Sequence, residues 1–230
     1  MQDIVFIPGL LCTAELYAPQ LRALRDVARA QVADHTCGAS MHDIAASILT
    51  SAPETFALCG LSMGGYLAFE IMRQAPQRVT KLALLDTAAK ADTAERSVAR
   101  SALVARAEQD GIGAIAKLLA PGWVHQRRHN DTRLLETVGR MAANTGVTHF
   151  ARQQAAIAGR ADSVPDLGAI RVPTLVLVGR EDEATPVMDA EVIAHGIRGS
   201  RLTVLEDCGH LSTLEQPDAV NAALLAWLGA

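Results

Sequence analysis

Residues 56–65, FALCGLSMGG, form an apolar run of strand length that ends at Ser62 between small residues. Gly60 and Gly64 complete the pattern Gly-x-Ser-x-Gly. A chain that turns sharply from a strand into a helix brings its backbone close to both sides of the serine, which leaves no room for a Cβ atom at either glycine. The pattern predicts a strained turn that exposes the Ser62 hydroxyl at a helix N-terminus, where developing negative charge is favoured.

The flanking sequence supports this interpretation, because a five-residue pattern in a chain rich in glycine and alanine can arise by chance. Residues 55–61 have the apolar character of a buried strand. After the serine, Leu67, Ala68 and Ile71 recur at helical spacing until Pro76 ends the pattern. A strand before the serine and a helix after it are the context in which this motif presents a nucleophile.

Composition narrows the class of protein. The chain has 230 residues, of which 50% are hydrophobic, so it can bury a full core as one domain with an insertion. Its net charge of -4 gives no sign of nucleic-acid binding, so small molecules are the expected partners. No apolar run reaches the roughly 18 residues of a membrane helix, and no secretory leader precedes the first strand, so we expect a cytoplasmic protein without membrane association.

The four cysteines are widely spaced and include no Cys-x-x-Cys pair. This spacing argues against a zinc site or a disulfide framework, and we expect buried free thiols. The four are Cys12, Cys37, Cys59 and Cys208.

Apolar strands alternate with helical stretches along most of the chain. This alternation predicts a doubly wound α/β fold, with a mostly parallel sheet of about six strands and helices on both faces. The predicted strands are 3–7, 26–34, 55–61, 79–86, 174–179 and 201–206, and the clearest helices outside the middle of the chain are 15–25, 41–51 and 217–228.

The alternation stops between residues 88 and 162, where no strand is predicted. Helices are expected near 93–109, 113–119, 132–144 and 147–158, with an irregular loop at 121–130. We therefore divide the chain into a core, 1–87 with 163–230, and a helical insertion, 88–162. The insertion leaves the sheet at the carboxyl end of strand 79–86, on the same edge as Ser62, so we expect it to cover the serine as a lid.

A serine hydroxyl is a weak nucleophile at neutral pH and needs an imidazole base that an acid orients. His210 alone among the histidines follows the last predicted strand in a glycine-bearing loop. The other histidines lie near the second strand, in the insertion, or within a predicted helix: His35, His42, His125, His129, His149 and His195. Five carboxylates follow strand ends, and charge alone does not choose among them: Asp86, Glu181, Asp182, Glu183 and Asp207.

Three motifs together resemble the α/β-hydrolase fold superfamily, and more narrowly its lidded carboxylesterases and enol-lactonases related to 3-oxoadipate enol-lactonase. Residues 60–65 are similar to the nucleophile turn, residues 179–186 to the Gly-x-x-Asp-x-x-Thr-Pro acid loop, and Gly209-His210 to the histidine loop. The resemblance places the acid at Asp182. It also implies an oxyanion hole made by the backbone N–H groups of Leu10, in the turn after the first strand, and Met63.

Two features depart from the family pattern. Pro8 stands where the family has a histidine before the oxyanion glycine, which puts a loop-orienting hydrogen bond in doubt without removing either backbone donor. The chain also begins at what would be the family's third strand, so we expect a core that lacks the amino-terminal hairpin. An exposed sheet edge would then permit a monomer or a homodimer.

The resemblance implies a serine hydrolase that cleaves a small-molecule carboxylic ester or lactone through Ser62, His210 and Asp182, with no metal or organic cofactor. Carbon–carbon bond hydrolysis or perhydrolysis on the same triad is the alternative, and a non-catalytic ligand receptor is a third hypothesis. In the loop 121–130, Arg127 and Arg128 could pair with a substrate carboxylate, or they could form a solvated basic turn.

Overall fold

Six parallel strands form one sheet in the computed structural model, which describes residues 1–229. In chain order the strands are β1 (Gln2–Ile7), β2 (Ala28–Val32), β3 (Phe56–Leu61), β4 (Val79–Leu85), β5 (Thr174–Gly179) and β6 (Arg201–Leu205). Their order across the sheet is β2-β1-β3-β4-β5-β6, and every neighbouring pair is parallel. The predicted α/β class and six-stranded sheet are confirmed.

The strand order has a switch point between β1 and β3. The chain runs from β1 outward to β2, returns to the other side of β1 as β3, and then continues outward in the opposite direction. At such a point the loops after the two strands lead to opposite faces of the sheet and leave a crevice between them, where open parallel sheets bind their ligands. The loops concerned follow Ile7 and Leu61, so the crevice lies beside Ser62.

Helices cover both faces of the sheet. Alternate strand residues point to opposite faces, so Val5 and Ile7 join one buried cluster while Ile4 and Phe6 join the other. The first face packs against α2 (Met41–Ser51), α3 (Met63–Gln74) and α7 (Val187–Gly196), and the second against α1 (Ala18–Leu24) and α9 (Pro217–Gly229). The remaining helices are α4 (Ala94–Asp110), α5 (Ile112–Leu119), α6 (Thr132–Ala158) and the short α8 (Ser212–Glu215).

Two predicted elements are shorter than the sequence indicated. The helix expected at 15–25 begins with a 3₁₀ turn, Ala14–Tyr17, and becomes α-helical only at Ala18. Pro19 explains the change, because a proline fits the first turn of an α-helix but clashes with the preceding turn farther inside it. The strand expected at 26–34 is limited to Ala28–Val32, which lies at the edge of the sheet and pairs only with β1.

Helices α4, α5 and α6 fill the insertion between β4 and β5. They share a buried cluster that includes Ala107, Ile115 and Phe150, and Leu11 from the core packs into it. Gly146 interrupts α6 with a non-helical backbone (φ 73°, ψ 169°), so the helices predicted at 132–144 and 147–158 are two arms of one bent element. The domain boundaries themselves stay a prediction. Within residues 1–229, no helix is long and apolar enough to cross a membrane.

Candidate active site

Ser62 occupies the turn between β3 and α3 with a left-handed backbone, φ 56° and ψ −115°. Such a conformation is strained for a residue with a Cβ atom and has to be held by its surroundings. The Ser62 N–H donates to the Leu85 carbonyl at 3.0 Å, and the Thr87 hydroxyl donates to the Ser62 carbonyl at 2.8 Å. The conformation predicted for the nucleophile turn is therefore present.

The glycines on either side of the serine meet neighbouring backbone, as the motif predicts. A Cβ atom on Gly60 would overlap the Gly64 carbonyl, and one on Gly64 would overlap the Ile7 carbonyl at the end of β1. These contacts press the turn after β3 against β1. Larger residues at either position would displace Ser62.

His210 lies in the loop after β6 and is buried against the acid loop that follows β5. Its Nδ1 is 2.8 Å from Asp182 Oδ2. The N–H groups of Ala184 and Thr185 donate to Asp182 Oδ1, each at 2.9 Å, and the Thr185 hydroxyl donates to Oδ2 at 2.9 Å. Since a carboxylate only accepts, His210 carries its proton on Nδ1, and this leaves Nε2 free to act as a base.

The charge state of His210 reflects two opposing influences. Burial lowers the pKa of its imidazole and is the largest single influence, but Asp182, followed by Asp86 and Glu215, stabilises the protonated form, and together they leave the pKa above its ordinary value. A histidine with this environment accepts a proton readily near neutral pH.

The other four candidate carboxylates have different partners. Asp86 is fully buried, and its two oxygens accept from the Gly179 N–H and the Ser212 hydroxyl. Burial raises its pKa well above the ordinary range, and the neighbouring Asp182 charge adds to the shift. Glu181 accepts from the Cys208 N–H, Asp207 pairs with Arg127, and Glu183 is exposed. Among the five, Asp182 is the carboxylate bonded to the His210 ring.

A cavity of about 270 Å³ lies at this edge of the sheet. Ser62 and His210 both line it, as do Leu10 and Cys12 from the loop after β1. Burial raises the pKa of the Cys12 thiol to about 12, so this cysteine is not a competing thiolate nucleophile at neutral pH. The insertion supplies the opposite wall with Arg96, Ala99, Arg100, Leu103, Trp123 and Ile157.

Leu10 and Met63, whose backbone N–H groups were predicted to form the oxyanion hole, flank the serine. Met63 is the first residue of α3. The turn that carries Leu10 passes directly beside Ser62, since a Cβ atom on Gly9 would lie 3.4 Å from the Ser62 Cβ. Among residues 1–229, no turn or loop hydrogen bond is donated by the Leu10 N–H, which leaves it available to a ligand.

Arg127 and Arg128 do not line this cavity. Arg127 forms a 2.7 Å ion pair with Asp207, and Arg128 binds Asp131 at 3.0 Å and the Glu215 carbonyl at 2.9 Å. These partners hold both side chains in the surface of the loop, so the predicted contact with substrate is not supported by their positions. The sequence could not show this, because the partners become neighbours only in the folded chain.

The loop that carries these arginines nevertheless contacts the site through its backbone. The Trp123 carbonyl accepts from the N–H groups of His210 and Leu211 at 3.0 and 3.1 Å. The buried Glu215 carboxylate accepts from the N–H groups of His125, Gly209 and Leu211 at 2.7, 3.1 and 3.3 Å. Trp123 and Glu215 therefore join the insertion to the histidine loop.

The sequence analysis did not identify several residues of the site. One of them, Thr185, belongs to the acid-loop motif, so its bond to Asp182 could have been inferred from spacing. The other two, Glu215 and Arg96, carry no recognisable signal, because in the sequence they look like ordinary surface charges on helices.

Two residues outside the site differ from expectation. His195, expected in the middle of a helix, lies in the last turn of α7, and Cys37, expected to be buried, is exposed. No cluster of His, Cys, Asp and Glu side chains in the described part of the chain could hold a metal ion.

Comparison with known proteins gives a consistent result. The sequence model of the Alpha/beta hydrolase family matches residues 4–223. A curated relative, 3-oxoadipate enol-lactonase 2 of Acinetobacter baylyi, is 33% identical over 169 residues, which cover 73% of this chain and 61% of the relative. The chain therefore aligns with less than two thirds of that relative's length.

Solved structures of similar proteins align over nearly the whole chain. A thermophilic esterase from Thermogutta terrifontis superposes with a TM-score of 0.90 at 29% identity, covering 99% of this chain and 89% of the esterase. The enol-lactonase from Burkholderia xenovorans LB400 superposes with a TM-score of 0.89 at 25% identity, covering 100% of this chain and 92% of the enol-lactonase.

Proposed function

The chain belongs to the alpha/beta hydrolase family, and we propose that it hydrolyses a small carboxylic ester or lactone through Ser62, His210 and Asp182. The observation that carries this proposal is the 2.8 Å contact between His210 Nδ1 and Asp182 Oδ2, in a site where Ser62 and His210 line the same cavity. The esterase and enol-lactonase relatives agree with it.

The proposed reaction has two halves. His210 Nε2 takes the proton of Ser62 Oγ as that oxygen attacks the substrate carbonyl carbon. The negative charge that develops on the carbonyl oxygen accepts hydrogen bonds from the Leu10 and Met63 N–H groups. Collapse of this intermediate releases the alcohol or enol, which takes its proton from His210, and leaves an acyl group on Ser62.

Water completes the cycle. His210, again neutral, takes a proton from a water molecule as its oxygen attacks the acyl carbon. The second intermediate then collapses to the carboxylic acid, and the leaving Ser62 Oγ takes the proton back from His210. Asp182 stays ionised throughout and stabilises the imidazolium that forms in each half. No step in this sequence requires a metal or an organic cofactor.

The cavity wall also favours one class of substrate. Two arginines and no carboxylate line the cavity. Arg100 is bound to Asp92 and Gln154, whereas Arg96 has no ion-pair partner within residues 1–229. A guanidinium without an ion-pair partner among the described residues, in the same cavity as the proposed nucleophile, fits a substrate that carries a carboxylate of its own. The small cavity volume, about 270 Å³, favours a compact molecule.

A substrate panel tests the proposal. We expect the purified protein to hydrolyse p-nitrophenyl acetate, the mono-p-nitrophenyl ester of succinate and a carboxylate-bearing enol-lactone, and Ser62→Ala to abolish all three activities. Thr137→Ala, at a half-buried position of α6 whose hydroxyl donates to the Arg133 carbonyl and does not line the cavity, serves as the control and should retain them. Binding of these compounds without hydrolysis would instead favour a receptor. Cleavage of a β-diketone with no action on the esters or the lactone would favour a carbon–carbon bond hydrolase.

A further inference from the structure

The Gly9 carbonyl, in the turn beside Ser62, is held by two donors. It accepts from the Cys12 N–H at 3.1 Å and lies 3.1 Å from His35 Nε2. A carbonyl oxygen can only accept, so His35 carries its proton on Nε2 and donates it to Gly9. His35 is buried, with 3% of its surface exposed.

Anchoring this carbonyl also orients the next N–H group. The Gly9 carbonyl and the Leu10 N–H belong to one peptide unit, which is planar and trans, so the two groups point in opposite directions. A donor that fixes the Gly9 oxygen on one side therefore fixes the direction of the Leu10 N–H on the other. Leu10 lines the cavity that contains Ser62.

Gln153, from the second arm of α6, holds the following residue. Leu11 has a left-handed backbone with φ 58°, and its N–H donates to Gln153 Oε1 at 3.1 Å. The Gln153 amide nitrogen lies 3.1 Å from His35 Nε2; because both nitrogens carry hydrogen, this is a packing contact and not a hydrogen bond. Gln153 is 1% exposed, so these contacts lie in the protein interior, where a hydrogen bond is stronger than in water.

The insertion therefore contacts the turn after β1 in two ways. The Leu11 side chain lies in the buried cluster of the insertion helices, with Ala107, Ala142 and Phe150, while its N–H is bound to Gln153. The left-handed conformation of Leu11 is unfavourable for a residue with a Cβ atom and persists only where such contacts determine it. A shift of α6 would therefore move the turn that carries the Leu10 N–H.

We propose that His35 and Gln153 are positioning residues that aim the Leu10 N–H at the reacting carbonyl oxygen, an inference that rests on the function proposed above. Pro8 has no side-chain donor. His35, which is distant in sequence, therefore supplies the turn-orienting hydrogen bond that a histidine at position 8 would supply. Gln153 makes the oxyanion hole depend on the position of the insertion.

The test compares catalysis with the binding of an oxyanion analogue. His35→Phe and Gln153→Met keep similar side-chain volume and remove the hydrogen bonds. We expect kcat for p-nitrophenyl acetate to fall by about 10- to 100-fold and KM to change little. This loss is no larger than the loss of kcat that follows removal of an oxyanion-hole donor. The inhibition constant of a trifluoromethyl ketone, which forms an oxyanion on Ser62, should rise in parallel with the loss of kcat. His35→Gln, which places an amide donor near the Nε2 position, should restore most of both.

Two controls lie on the same helix as Gln153. Arg152→Ala alters an exposed side chain, and His149→Ala removes a bond to the Thr36 carbonyl outside the turn. Both variants should keep the wild-type kcat and inhibition constant. Equal losses in these controls would mean that α6 is merely sensitive to mutation and would overturn the inference.

The wild-type protein offers a second measurement in case a variant does not fold. The Leu11 amide should exchange slowly with deuterium, as a buried N–H bound to Gln153 must, and rapid exchange would contradict the contact. If the wild type is active and the variants match it in kcat and inhibition constant, the inference falls and the proposed function stands. If the wild type hydrolyses no ester and reacts with no serine-directed fluorophosphonate, the proposed function falls and takes the inference with it.

Discussion

The loops of the sheet and the helical insertion contribute differently to the site. The loops after β3, β5 and β6 carry Ser62, Asp182 and His210, each within a few residues of a strand end. The insertion carries Arg96 and Trp123 on the cavity wall. Changes in the sheet loops should therefore affect every substrate alike, whereas changes in the cavity-wall side chains of the insertion, such as Arg96, should discriminate between substrates.

The largest expected effect comes from the acid loop. Asp182→Asn leaves the shape of the loop but favours the wrong imidazole tautomer of His210, so kcat should fall by on the order of 10⁴ for neutral and anionic esters alike. KM should change little. Steady-state kinetics on both substrates measures this, with Asp207→Asn, an exposed residue paired to Arg127, as the control. Severe loss in Asp86→Asn with Asp182→Asn nearly silent would identify Asp86 as the orienting acid.

The next effect is the pH dependence of the activity, which His210 should control. His210 acts as a base only when neutral, and its pKa lies above the ordinary value of 6.5 because Asp182 stabilises the imidazolium. The activity should therefore be lost as the pH falls through a midpoint above 6.5, with kcat/KM at pH 5.5 more than tenfold below its plateau.

Removing the aspartate should reverse the shift. In Asp182→Asn, burial remains and lowers the pKa of His210 while the largest opposing influence is gone, so the midpoint of the residual activity should move to lower pH. A midpoint that stays in place would show that another group controls the protonation of the base.

Substitution of Arg96 tests whether the insertion discriminates between anionic and neutral substrates. Arg96→Ala should lower kcat/KM for the mono-p-nitrophenyl ester of succinate by about tenfold, equivalent to roughly 1.4 kcal/mol of transition-state binding, and leave p-nitrophenyl acetate unchanged. Arg106→Ala is the matched control, since Arg106 lies on the same helix and pairs with Asp110 away from the cavity. Equal effects on the two esters would mean that Arg96 shapes the cavity but does not bind the substrate carboxylate.

Glu215 lies where the two regions meet. In Glu215→Gln an amide NH₂ replaces one acceptor oxygen and faces a backbone N–H, so the protein should lose about 2 kcal/mol of stability. For a chain of this length that is a fall in Tm of roughly 4–8 °C, measurable by calorimetry. We expect a change in kcat of only a few-fold, because Trp123 still holds the His210 backbone. An unchanged Tm would show that the carboxylate is not needed to join the regions.

Much of this molecule could be predicted from the sequence, and the successes share a cause. Apolar runs and glycine-bearing turns are local, so the six strands, the strained turn at Ser62 and the interruption between helices 132–144 and 147–158 follow from neighbours in sequence. Position just beyond the strands of one parallel sheet predicted that His210 and five carboxylates share an edge, and only the family resemblance selected Asp182 among the five. The length of α1 was missed because Pro19 fits a first helical turn only.

The partners of side chains could not be predicted in the same way. Leu11 and Gln153 are 142 positions apart, and Gly9 and His35 are 26 positions apart. No periodic signal links such pairs, because tertiary packing alone brings them together. The same applies to Arg127, whose partner Asp207 belongs to another loop. Charge on a loop predicts an interaction but does not identify its partner.

The most direct test of the proposed function is the site of covalent labelling. A fluorophosphonate should add one adduct to the intact protein, and fragmentation of the tryptic peptide that follows Arg29 and ends at Arg73 should place that adduct on Ser62. Ser62→Ala should remain unlabelled, and the adduct should abolish ester hydrolysis. An adduct on another serine, or hydrolysis that persists in Ser62→Ala, would contradict the assignment of Ser62 as the nucleophile.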